Sequence, residues 1–337
     1  MTVREATVLV VMCIIWGMHV VVIKIAVAEL PPLLYAAIRM TLVAVLLSPL
    51  LRWRAGLMKP VLLAGMCLGA LNYAFLFSGL TRAPTTAAAI TLELYAPFAT
   101  ILSALFLGEH VGWRRASGVA FAFAGVALVA FGGASATTTS PLGASAMLIG
   151  VGLVGASVFS EAVGTISVKK ALGFKPFELL AWFSVIGVVV LWPATLVFET
   201  NHVARLASAD KTILIGAVLY SALGSSLIAH SSYYWLLQRL PVSQIAPSIM
   251  LATIIAIIGG VVFLGERLNG WMVIGALTTL SAVGFILLRN AKQNTATQGR
   301  QLENASIGDR AISDRAISDR AIGDTGLGES ELKSGAV

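Results

Sequence analysis

Residues 101–110 read ILSALFLGEH, and residues 258–267 read IGGVVFLGER. The shared Phe-Leu-Gly-Glu, at 106–109 and again at 263–266, closes a long apolar run each time, and the two copies lie 157 residues apart. The same shift pairs Leu80, Arg82, Pro84 and Gly118 with Leu237, Arg239, Pro241 and Gly275. Nearer the N-terminus a shift of 145 pairs Lys24, Ala26, Pro31, Leu34 and Ala36 with Lys169, Ala171, Pro176, Leu179 and Ala181. Chance readily matches Leu and Ala in apolar sequence, but less readily Lys, Pro and a whole FLGE, so the chain is predicted to be an internal duplication.

Composition says what kind of duplication. Of 337 residues, 58% are hydrophobic and 12% charged, against about 25% charged in an ordinary soluble domain. Lipid must therefore be the solvent for most of the surface. A membrane helix needs roughly 20 mainly apolar residues, and ten such runs occur: Val8–Val27, Leu34–Leu51, Val61–Gly79, Pro84–Leu107, Gly112–Gly132, Ser145–Val168, Glu178–Phe198, Thr212–Leu237, Val242–Leu264 and Gly270–Leu288. The first resembles a secretory signal, with Arg4 before it and Ala26-Val27-Ala28 after it. Its apolar stretch from Ala6 to Ile23 exceeds the ~7–15 residues of a signal core, so it reads as a membrane helix.

Five helices per copy is an odd number, which forces the copies to cross the membrane in opposite directions. The expected fold is an all-α integral membrane protein of ten transmembrane helices, arranged as two inverted five-helix repeats over residues 5–133 and 145–290. If the N-terminus is cytoplasmic, Arg4, Arg52, Arg54, Lys59, Arg114, Arg115, Lys169, Lys170, Lys175, Arg239, Arg289 and Lys292 share its side, and only Arg82, Arg205, Lys211 and Arg267 lie opposite. That asymmetry satisfies the positive-inside rule and puts both termini in the cytoplasm of a bacterial inner membrane. Residues 293–337 hold 5 of the 23 Lys+Arg and 7 of the 16 Asp+Glu. The run IGDRAISDRAISDRAIGD at 307–324 repeats every five residues, which keeps no apolar face on a helix or strand, and a disordered cytoplasmic tail is expected.

Several functions are disfavoured. The net charge of +7 is dispersed in short clusters between apolar spans, so no nucleic-acid surface is expected. Cys13 and Cys67 sit in apolar runs without metal or disulfide spacing. The GxGxxG at Gly150, Gly152 and Gly155 lies within an apolar helix rather than between a strand and a helix, which argues against a nucleotide. HExxH, GxSxG and P-loop sequences are absent, and Asp210 is the sole aspartate before the tail, where an intramembrane aspartyl protease needs two. No enzyme, cofactor or metal is expected.

The arrangement Ile15-Trp16-Gly17, Lys24, Leu30-Pro31-Pro32 and Arg39, then Leu107-Gly108-Glu109 followed by Trp113 and Gly118, resembles the EamA family of the drug/metabolite transporter superfamily. Leu264-Gly265-Glu266-Arg267, Trp271 and Gly275 repeat the signature in the second copy, and the resemblance covers about residues 5 to 290. It implies a ten-helix carrier with a cavity between its halves, of a kind that in many cases exports amino acids or other metabolites; it says little about substrate. The copies are unequal: Glu161 stands where the first copy has Trp16, and Ser184 where it has Arg39.

Ionisable groups inside a bilayer are costly and are functional candidates by default. Glu93 lies roughly 13 Å inward from Pro84, close to the midplane, where it can carry a proton or merely tie helices together. Pro97 removes the donor that would bond the Glu93 carbonyl, and Tyr95 is predicted to face away from Glu93. Trp16, Glu161, His19 and His230 join the candidates; a lone membrane histidine is more often a packing group, and Lys169 and Lys170 can draw Glu161 to the interface. Asn72, Tyr73, Ser225 and Ser248 are polar positions on apolar helices, suited to binding or to interhelical hydrogen bonds. Arg39 can attract an anionic group, Lys24 is expected to snorkel to water, and Glu109 and Glu266 to cap helices and pack gates. The small-residue series at Ala96, Thr100, Ala104 and Gly108, at Ala252, Ala256 and Gly260, and at Gly65 and Gly69 would allow close helix approach.

The leading expectation is a secondary transporter exporting small polar or amphipathic metabolites by alternating access, with proton exchange at Glu93 and with lipid and a small-molecule substrate as partners, as a monomer or homodimer. A multidrug efflux carrier, a channel, and an intramembrane enzyme or lipid-handling protein are the competing readings.

Overall fold

The computed structural model describes residues 2–107, 112–136, 143–169, 173–237, 239–240 and 242–288; Glu109, the tail and the side chain of Ser248 lie outside them. Among the described residues every regular element is helical. The helices are α1 Val3–Glu29, α2 Pro32–Leu47, α3 Met58–Leu80, α4 in two pieces at Thr85–Leu92 and Tyr95–Leu107, α5 Trp113–Ala136, α6 Gly143–Lys169 and α7 Pro176–Phe198. Then come α8, from Lys211 to Leu237, α9 Val242–Leu264 and α10 Gly270–Leu288. Nine have the length and apolarity to cross a bilayer, and α9, whose described apolar part is Ile249–Leu264, supplies the tenth. A short helix at His202–Ser208, which the apolar pattern does not announce, precedes α8.

Large apolar side chains such as Val45, Leu105, Phe198, Val262 and Phe263 point outward. That is the inverse of a soluble protein and the normal surface for lipid. Without water to drive helices together, close packing does the work, and glycines set where it happens. A Cβ on Gly17 of α1 would stand 2.5 Å from the Ala252 carbonyl of α9, and one on Gly125 of α5 would stand 2.8 Å from the Gly275 carbonyl of α10. At the crossing of α3 and α7, Gly69 faces the Phe183 carbonyl and Gly187 faces the Gly69 carbonyl, backbone against backbone.

The duplication is visible in the packing. In the first copy α1 lies on α8 and α9; α6, its counterpart, lies on α3 and α4. The second helices of the two copies, α2 and α7, pack on each other. Moreover, α3 carries a π-helical segment at Met66–Leu71 and α8 carries one at Tyr220–Ala229. Shifting the first by 157 gives 223–228, inside the second.

The connections of α1–α2, α3–α4, α7–α8 and α9–α10 share one end of the bundle, here the Pro31 face; Arg52 marks the other. A helix N-terminus presents unpaired N–H groups and partial positive charge, and on the Pro31 face carboxylates from other helices meet them. Glu199 accepts from the Leu33 and Leu34 amides (2.7 and 3.0 Å) at the start of α2. Glu266 accepts from Thr85 and Thr86 (2.5 and 2.9 Å) at the start of α4. Lys24 does not snorkel: its Nζ donates to the Leu80 and Ala83 carbonyls (2.5 and 2.8 Å), because the end of α3 offers acceptors nearer than water. Lys24 and Glu266 thus grip the same connection, with Ala83 between them 1% exposed. On the Arg52 face Glu178 caps its own helix at the Lys175 amide (2.9 Å) and takes Arg54 at 3.2 Å.

Charge-assisted bonds of this kind are worth about 1.5–3 kcal/mol. Glu266→Gln is therefore expected to loosen the Pro31 face, raising maleimide labelling of an Ala83→Cys variant about tenfold, the factor that 1.4 kcal/mol provides. Unchanged labelling would show that the Glu266 bonds do not hold this face.

Candidate functional site

The helix α4 breaks at Glu93 and Leu94. There the amides of Glu93 and Leu94 turn back to Ile90 (3.2 Å) and Thr91 (3.0 Å), a tighter i→i−3 pattern. Pro97 supplies the reason: it has no N–H for the Glu93 carbonyl, and it sits in the first turn of the new piece, where a missing donor costs nothing. The half-buried Glu93 carboxylate accepts the hydroxyl proton of Thr253 on α9, so the break in the first copy is tied to the second. Tyr95 leaves in another direction and donates to Thr165 Oγ1 of α6 (3.2 Å).

A second polar group lies where α1 and α2 meet the π segment of α8. His19 stands between two serines, with Nε2 3.1 Å from Ser221 Oγ and Nδ1 3.1 Å from Ser225 Oγ. Since a neutral imidazole has one donor and one acceptor nitrogen, both are used. Tyr35 donates to the Ala217 carbonyl (3.1 Å) and lies 2.6 Å from Ser221 Oγ. One turn along α2, Arg39 Nη2 donates to Ser226 Oγ (3.0 Å) and to the Tyr73 hydroxyl (3.3 Å), with its guanidinium 4.3 Å from the Tyr73 ring centre. Within the π segment the Ser225 carbonyl lies 2.8 Å from His230 Nδ1, and Trp16 meets the His230 ring edge-on at 5.3 Å.

The third group joins α3 to α6. Asn72 Nδ2 donates to the Ser157 carbonyl (3.0 Å) and to Glu161 Oε2 (3.4 Å). Glu161 is thus held by a neighbouring helix within the bundle; the side chains of Lys169 and Lys170 lie outside the described residues.

The EamA-like transporter family profile matches twice, over residues 4–131 and 148–288. The chain belongs to the EamA family. Two curated relatives are each named a "probable amino-acid metabolite efflux pump". The Escherichia coli protein is 26% identical over 280 residues, covering 80% of this chain and 90% of its own length. The Salmonella typhimurium protein is 27% identical over 294 residues, covering 83% and 95%. A solved crystal structure aligns with 86% of this chain and 99% of its own at a TM-score of 0.57 and 18% identity, a likeness of fold.

Within this EamA bundle the candidate residues fall into separate sets. Trp16, His19, Arg39, Tyr73, Ser225 and His230 gather on α1, α2, α3 and α8; Asn72 and Glu161 pair between α3 and α6; Glu93 pairs with Thr253. The four groups that an intramembrane enzyme would need, Glu93, Glu161, His19 and His230, thus have their hydrogen-bond partners in three places. Tyr35, Ser221, Ser226 and Thr253 are the partners that sequence reading passed over. Tyr35 was findable, one turn before Arg39 on the same helix face. Ser221 and Ser226 were not, because a helix of ordinary period places them differently from the π segment that presents them.

Proposed function

We propose that this EamA protein is a secondary carrier that exports amino acids or closely related amphipathic metabolites by alternating access, in exchange for protons carried by Glu93. The observation that carries the reading is the broken α4: a discontinuous helix with a carboxyl group at the break, bonded across to the other half. Transporter sites are built where helices are interrupted near the midplane between repeats. A pore would have no need of a carboxylate locked to its opposite half. The names of the relatives support amino acids as cargo, and the asymmetry of basic residues supports both termini in the cytoplasm of a bacterial inner membrane.

The test is counterflow in proteoliposomes, with unlabelled amino acids, nucleosides or cationic drugs as competitors for radiolabelled amino acids. Saturable exchange that only amino acids inhibit is expected. Counterflow of a radiolabelled cationic drug, with none of radiolabelled amino acids, would make the protein a multidrug carrier, and flux without saturation would make it a channel.

A further inference from the structure

Arg39 is 1% exposed in the midst of the bundle. A cation taken from water into such a site costs several kcal/mol unless an anion meets it. Among the described residues no carboxylate lies within 4 Å of Arg39, and the ion pairs formed there are those of Arg52 and Arg54 with Glu178. Its Nη2 has neutral acceptors on Ser226 and Tyr73, while Nε and Nη1 are buried with no acceptor at all.

The fold does not require this charge. Under the repeat shifts Arg39 corresponds to Ser184 and Ser226 to Gly69. There the second helix of one copy crosses the third of the other with glycine against backbone, and Ser184 simply returns its hydroxyl to Ala181 (2.8 Å). The same crossing is thus built once without charge and once around a buried arginine lacking a counter-ion.

We propose that Arg39 receives the carboxylate of the transported molecule, with Ser226 and the half-buried Tyr73 beside it. This rests on the reading of the chain as an amino-acid carrier and names the residue that selects its cargo. A single guanidinium suits a monoanion, and guanidinium–carboxylate pairing is strong and directional. Lys24, a cation on α1, is already committed to the α3–α4 connection. His19, Tyr35 and the α8 serines form a hydrogen-bonded cluster one turn away.

The experiment uses the full chain in detergent and in proteoliposomes. Thermal stabilisation and counterflow are measured for the twenty L-amino acids, and each responder is repeated as its primary amide and as the decarboxylated amine. Responders are expected to bind at least about tenfold more weakly once the carboxylate is gone. Arg39→Gln is expected to erase that preference, and Arg39→Lys to keep part of it. Amides as effective as acids on the wild-type protein would overturn the proposal and leave the carrier reading standing. So would an acid preference that survives Arg39→Gln, or chloride that stabilises the protein as the acids do. No response to any amino acid would overturn the carrier reading and this proposal together. If Arg39→Gln does not fold, the wild-type acid-to-amide ratio and Arg39→Lys decide.

Discussion

The Glu93→Gln protein is expected to exchange cargo at close to the wild-type rate and to ignore a pH gradient altogether. Gln fills the same space at the α4 break and offers an amide oxygen to Thr253, so the bond between the halves survives. What it lacks is a proton to give or take. In a proton exchanger each pH unit is worth about 1.4 kcal/mol per proton, or a tenfold concentration ratio. Wild-type vesicles given a one-unit gradient should therefore approach a tenfold cargo ratio for each proton exchanged, and Glu93→Gln vesicles a ratio of one. Glu93→Asp, which keeps the carboxyl group, should retain coupling. Undiminished coupling in Glu93→Gln would remove this residue from the proton path.

Gly69→Ala is expected to damage the fold itself. The added Cβ would lie 2.0 Å from the Phe183 carbonyl oxygen, a backbone atom that no rotamer change can move. Overpacking of this kind costs about 1–3 kcal/mol, and occasionally more. For a protein of this size that is a drop in unfolding temperature of roughly 1–4 °C, with loss of the monodisperse species in detergent. Gly152 and Gly155 on α6 serve as controls, since a Cβ there meets nothing within 4 Å. Their alanine variants should unfold like the wild type. A Gly69→Ala protein as stable as these controls would contradict the close α3–α7 crossing.

These two residues show what could be read from sequence. Glu93 and Pro97 together mark the interrupted helix, because a missing N–H four residues after an intramembrane carboxylate is a local property of the chain. Gly65 and Gly69 at four-residue spacing announce a close approach, although not that the partner is α7. The ten spans and the repeat are written in apolar run length and in matched FLGE, Lys and Pro, which survive without tertiary context. Partners are another matter. Whether Glu199 reaches α2, whether Lys24 turns to the end of α3 rather than to water, and whether Glu161 meets Asn72 depend on helices brought together from 50 or more residues away. Arg39 reads as an ambiguous cation until its burial and its empty Nε and Nη1 are seen.

In the proposed mechanism the two ends of the bundle open in turn, never together. Ala83 on the Pro31 face and Leu240 on the Arg52 face occupy equivalent positions in the two copies, and both are buried. Cysteine accessibility of single Ala83→Cys and Leu240→Cys variants in proteoliposomes, with and without a transported amino acid, tests the claim directly. A carrier predicts opposite changes, one position gaining reactivity as the other loses it when cargo is added. Both positions reacting freely under the same conditions would contradict it.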